Sequence, residues 1–129
     1  MKQLESGPGA MHIDVETLGE AVVISPKGAC DDHCAEVLES IIKQIEEKPH
    51  QTVILDASKL QYIETPGFRL IIKQFRKLQE LGGMLIVAGL CGPAERAFRL
   101  LQLDKYIPAV ANVEAALARV RREPEQVAK

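Results

Sequence analysis

Hydrophobic positions along this chain change period several times, and each change marks an element boundary. From His12 to Glu16 apolar and polar residues alternate, the period of a half-exposed strand. Leu18-Gly19 offers a turn, and Ala21 to Ser25 reads as a second strand carrying Val22, Val23 and Ile24. Together they predict a hairpin with the alternating strand at a sheet edge. From Asp31 the period becomes helical: Cys34, Val37, Leu38, Ile41 and Ile45 share one face, while Glu36, Glu39, Lys43 and Glu47 lie mostly away from it. Asp31 or Asp32 caps the start, Glu39 and Lys43 form a favourable i,i+4 pair, and Pro49 ends the helix. Thr52 to Leu55 is apolar without alternation, as a central strand covered on both faces would be.

Beyond Thr65 a second helical stripe runs through Phe68, Ile71, Ile72, Phe75 and Leu78 and closes at Gly82-Gly83. Leu85 to Ala88 predicts another buried strand. Pro93 at a first helical position opens a third helix with Ala94, Ala97, Phe98 and Leu101 inward. A short extended piece follows at Ile107 to Val110. Asn112 caps a last helix whose inner face is Val113, Ala116, Leu117 and Val120. The order is β-β-α-β-α-β-α-β-α. It predicts an α/β fold with about four helices, a mixed sheet and right-handed β-α crossovers. Residues 1–10, with Gly7-Pro8-Gly9, read as a flexible lead-in, 11–122 as one domain and 123–129 as a frayed tail.

Composition narrows the function classes. The 129 residues are 47% hydrophobic and 26% charged, which suits a soluble globular domain. A net charge of −2 and 4% aromatics, with no Trp, disfavour nucleic acid as a partner. No apolar run is long enough to span or insert into a bilayer, and the N-terminus has no secretory apolar core. Three cysteines without an export signal predict free thiols in a cytoplasmic protein.

The most informative segment is Glu64-Thr65-Pro66-Gly67, at the start of the second helix. Thr65 either caps that helix, accepting a hydrogen bond from the N–H of Gly67 or Phe68, or presents its hydroxyl for phosphorylation. Pro66 then occupies the first helical position, and Gly67 leaves the backbone open to close approach. Arg69, Lys73, Arg76 and Lys77 make a basic face on the same helix. It is either a plain solvated face or a surface that steers an acidic partner. The CDDHC run, with Cys30, His33 and Cys34, lacks the second ligand pair that zinc would need, so no metal is expected. Cys34 reads as core, and Cys30 and Cys91 as loop thiols. His12, His33 and His50 are scattered, and no GxSxG, P-loop or GxGxxG occurs in the right context. Asp56 reads as a loop-organising acceptor. No catalytic set and no cofactor are expected.

The run VILDASKLQYIETPGFRLIIKQFRKLQELGGMLIVAGL resembles the centre of the STAS domain, the fold of bacterial anti-sigma-factor antagonists. Leu55-Asp56-Ala57-Ser58 and Ile63-Glu64-Thr65-Pro66-Gly67 stand where that family has a strand ending in LD-L-S and a hydrophobic-Asp-Ser-Ser-Gly turn. AERAFRLLQLDKYIPAVANVEAALARV is similar to its closing helix, leucine–aspartate turn, short strand and last helix. The resemblance implies a non-enzymatic module that binds an anti-sigma factor, a GHKL-type serine/threonine kinase. The kinase switches the module off by phosphorylation, and a metal-dependent phosphatase restores it. It implies Thr65 as phospho-acceptor and Glu64, Thr65, Pro66, Gly67 and Arg69 as partner-binding residues. Thr stands for Ser, Glu for Asp and Pro for the second Ser. The alternative is a constitutive subunit of a lipid-transport ATPase complex or of a stress-signalling scaffold, without phosphorylation.

Overall fold

Six strands form the main sheet, and the computed structural model describes residues 2–5, 12–45 and 50–127 of the chain. β1 (Lys2–Glu5), β2 (His12–Leu18), β3 (Ala21–Pro26), β5 (Thr52–Asp56), β7 (Met84–Ala88) and β8 (Ala109–Val110) lie side by side in that order. β1–β2 and β2–β3 pair antiparallel, and β3–β5, β5–β7 and β7–β8 pair parallel. A second sheet of two parallel strands joins β4 (Gly28–Cys30) to β6 (Leu60–Ile63). The helices are α1 (Asp32–Ile45), α2 (Thr65–Glu80), α3 (Gly92–Leu100) and α4 (Val113–Val127). The mixed α/β architecture expected from the sequence is thus present.

The layers follow from side-chain alternation on β5 and β7, whose central residues are all apolar and buried. Val53 and Leu55 of β5, with Leu85 and Val87 of β7, face a core shared with Leu38, Ile41 and Ile42 of α1 and Phe68, Ile71 and Leu78 of α2. Ile54, Ile86 and Ala88 point to the other face, where Ala116 and Val120 of α4 cover them. Each fully buried Leu or Ile contributes about 1.5–3 kcal/mol, so the two-sided β5–β7 pair anchors the domain. α2 ends in a Schellman turn. Gly83 N–H donates to the Leu78 carbonyl (2.7 Å), Gly82 N–H donates to that of Gln79 (3.0 Å), and Gly82 sits at φ +79°.

The structure corrects several boundaries. Residues 2–5, read as lead-in, form β1, so β2 is not the edge strand. A four-residue segment has too little periodicity to declare itself, and its backbone partner supplies the order. Residues 6–10 lie outside the described residues, as does Pro49. The backbone of α4 continues through Val127, past the point where a frayed tail was expected. Leu101, expected to face inward, is 54% exposed. α3 stops at Leu100, and Gln102 turns left-handed (φ 59°), which takes Leu101 off the stripe. Pro93 follows Gly92, the first residue of α3, and so stands second.

One polar side chain interrupts the α2 stripe. Gln74 is fully buried, and neither Nε2 nor Oε1 has a hydrogen-bond partner among the described residues. A buried amide without partners costs on the order of 1–3 kcal/mol. Gln74→Met keeps the length of the side chain and removes both polar atoms. It is expected to stabilise the fold by about 1–2 kcal/mol, read as a higher urea midpoint at unchanged slope.

Candidate partner-binding turn

The loop from β5 to α2 is tied down at every step. Ala57 N–H donates to the Ala88 carbonyl (2.7 Å), extending the β5–β7 ladder by one bond. The Asp56 carboxylate accepts from Ser58 N–H at Oδ1 (3.1 Å) and from the Ser25 hydroxyl at Oδ2 (3.5 Å). Asp56 therefore organises the loop and bridges β5 to β3. Leu60 N–H closes a turn on the Ala57 carbonyl (3.1 Å), and β6 then runs beside β4. Leu60 and Ile63 point inward, while Gln61 and Tyr62 face out. Across the loop, Gly89 lies against Ser58: a Cβ on Gly89 would come within 2.9 Å of the Ser58 Cβ.

The strand pairing ends in the bond that seats α2. Glu64 N–H donates to the Cys30 carbonyl at 2.9 Å, which holds Glu64 extended (φ −89°, ψ 170°). Its own carbonyl then accepts from Gly67 N–H (2.9 Å) and Phe68 N–H (3.2 Å). Glu64, not Thr65, is the N-cap, and no side chain takes part in the cap. The expected Thr65 cap is displaced by one residue because the β4–β6 ladder reaches as far as Glu64. Thr65 is the first helical residue and exposed, and Pro66 is second and half-buried.

Gly67 is buried, and the surface approaching it belongs to its own chain. A Cβ there would lie 2.7 Å from Ile63 Cγ2, 2.8 Å from Cys30 Sγ and 3.0 Å from the Cys30 carbonyl oxygen. Glu64 and Thr65 stand outward together, Arg69 is exposed one turn along α2, and Gly67 forms the floor beneath them. Tyr62, 44% exposed on β6 just before the turn, was not singled out from the sequence; the outward Gln61-Tyr62 pair between two buried residues is the signal.

Arg69, Ile72, Lys73, Arg76, Lys77 and Glu80 line a shallow depression on the outer face of α2. Lys73 Nζ binds Glu39 Oε2 of α1 at 2.7 Å, so this lysine joins two helices. The hydrogen bond from Lys73 holds the Glu39 carboxyl below its usual range, and the charges of Lys73, Lys43 and Lys77 add to the effect. Glu39 thus pairs with α2 rather than within α1.

The cysteines are also redistributed. Cys34 is buried as expected, but Cys30 is buried too, at the end of β4. Cys34 Sγ donates to Cys30 Sγ at 2.8 Å. That hydrogen bond, then burial, pushes the Cys34 thiol well above its ordinary range. Asp31 Oδ1 accepts from Cys34 N–H (3.0 Å) and so provides the α1 cap. Cys91 is an exposed loop thiol. Among the described residues no three His, Cys, Asp or Glu side chains are grouped to hold a metal. No helix among them is long and apolar enough to cross a membrane.

Comparison with known proteins places this geometry. The profile of the STAS domain matches residues 12–116. A curated relative, the anti-sigma F factor antagonist of Paenibacillus polymyxa, is 20% identical over 108 residues, covering 83% of this chain and 92% of the relative. The crystal structure of an anti-sigma factor antagonist from Mycobacterium paratuberculosis superposes with a TM-score of 0.78 at 27% identity, covering 90% of this chain and 98% of that one. SpoIIAA in its unphosphorylated form gives 0.73 at 24%, covering 84% and 96%. The phosphorylated form, from Bacillus, gives 0.66 at 23%, covering 84% and 98%.

Two outcomes follow from the turn and its helix. Gly67→Ala forces its methyl onto Ile63 and Cys30 and is expected to cost about 1–3 kcal/mol in urea unfolding. Lys73→Met releases Glu39, whose carboxyl then titrates at higher pH by NMR than in the parent. Because Glu39 is lowered when folded, its pairing supports the fold above the ordinary glutamate pKa and is lost as pH falls through the lowered value.

Proposed function

Because this chain belongs to the STAS domain family, we propose that it is an anti-sigma-factor antagonist, a non-enzymatic cytoplasmic module that binds a GHKL-type serine/threonine kinase. The kinase switches it off by phosphorylating Thr65, and a metal-dependent phosphatase reverses the change. One observation carries the reading: the Thr65 side chain is exposed at the first position of α2, while the cap is made by the Glu64 carbonyl. The hydroxyl is therefore not committed to holding the helix, and modifying it leaves the cap in place.

Electrostatics support a switch that acts at the surface. A phosphate on Thr65 sits at the N-terminus of a 16-residue helix, where the aligned peptide dipoles favour negative charge. Glu64 beside it is exposed and repels it, so the added charge points away from the protein and towards whatever docks there. Glu64, Thr65, Pro66 and Arg69 form the contact surface, with Gly67 as its support. Arg69, Arg76 and Lys77 steer an acidic partner towards it.

With ATP and the cognate kinase, the protein is expected to gain the mass of one phosphoryl group, and Thr65→Ala none. Thr65→Glu is expected to weaken the equimolar complex at least roughly tenfold, about 1.4 kcal/mol, by calorimetry. Full phosphorylation of Thr65→Ala would overturn the site, and recovery of a transport ATPase instead of a kinase in pull-downs would overturn the partner.

A further inference from the structure

The floor of the Thr65 turn contains a pair of thiols with no role in the antagonist reading. Cys30 ends β4 and Cys34 lies in the first turn of α1, and their sulfurs are 2.8 Å apart. Both are free and buried. Cys30 is also the residue on which the turn rests: its carbonyl receives the Glu64 N–H, and its sulfur is what a Cβ at Gly67 would strike. We propose that Cys30 and Cys34 are a redox-active pair that hydrogen peroxide closes to a disulfide beneath the Thr65 turn.

The geometry asks for little movement. A disulfide sulfur–sulfur bond is about 2.05 Å long, so the two sulfurs need to approach by only about 0.8 Å. Only Asp31, Asp32 and His33 separate the two cysteines, and all three are exposed. Opening of the first turn of α1 therefore admits a molecule as small as peroxide without unfolding the domain. So short a loop removes little entropy from the unfolded chain, which suits a reversible bond better than a structural staple.

One peroxide closes the pair, whose sulfurs are 2.8 Å apart, in two steps. Cys30 gives up its proton and attacks one peroxide oxygen. A sulfur–oxygen bond forms, the oxygen–oxygen bond breaks, and hydroxide leaves and takes up the proton lost by Cys30 to become water. Cys34 then attacks the Cys30 sulfenic acid. The sulfur–sulfur bond forms, the sulfur–oxygen bond breaks, and a second water carries away the Cys34 proton. Two thiols lose two electrons in total, and one peroxide becomes two waters. Closure does not depend on phosphorylation of Thr65, and it shifts the sulfur under Gly67.

The test uses the full-length Cys91→Ser protein, native and reduced, treated with hydrogen peroxide. Cys30 and Cys34 share the tryptic peptide between Lys27 and Lys43, so the bond appears as the loss of two hydrogens within that peptide, reversed by dithiothreitol. The amide resonances of Glu64 and Gly67 are expected to move on oxidation while those of Ala116 and Val120 in α4 stay in place. Cys91→Ser/Cys34→Ser, checked for folding by circular dichroism, is expected to show no such loss. The inference fails if the peptide keeps its mass, gains oxygen without closing, or closes only in denaturant. It fails equally if closure leaves Glu64 and Gly67 unmoved.

Discussion

The bond from Glu64 N–H to the Cys30 carbonyl is the constraint on which the rest of the turn depends. It is the last rung between β4 and β6, and it stops the chain in an extended conformation at one residue. Because Glu64 is extended, its carbonyl points at the N–H groups of Gly67 and Phe68 and closes the helix end. The next residue, Thr65, then begins the helix facing out. Gly67, three residues on, falls onto Cys30 and Ile63, where only a hydrogen fits. Cap, exposed hydroxyl and glycine floor are three consequences of one hydrogen bond.

This arrangement separates two tasks that a threonine before a helix could combine. A capping hydroxyl contributes about 1 kcal/mol to the helix. Here no side chain takes part in the cap, so the Thr65 hydroxyl does not hold the end of α2. The loop upstream is made rigid in the same way by Asp56 and the Ala57–Ala88 bond. The outward Glu64-Thr65 pair is presented on a scaffold braced by β5 and β7, the strands buried on both faces.

Much of the fold was legible because long periodic segments report their own environment. The apolar runs of β5 and β7, the stripe of α1 and the Asn112 cap of α4, whose Oδ1 accepts from Ala115 N–H (2.8 Å), each carry enough residues to show a period or a known cap. β1, β4 and β6 are three or four residues long and leave no such trace. They exist because a neighbouring backbone satisfies their polar groups. Gln74 was illegible for a related reason: helical spacing places it inward, but its residue type argues for water.

The sequence by itself determined the four helices, the buried central strands between them and the start of α2 at Glu64-Thr65-Pro66-Gly67. These are local properties, written in period and residue type. Only the tertiary structure decided that Glu64 rather than Thr65 is the cap, that Cys30 is buried against Cys34, and that Gly67 is needed for contact within the chain. The Glu64 cap and the Gly67 contact depend on Cys30 meeting residues distant in sequence, and the thiol pair on the bend from β4 into α1; such meetings leave no pattern along the chain.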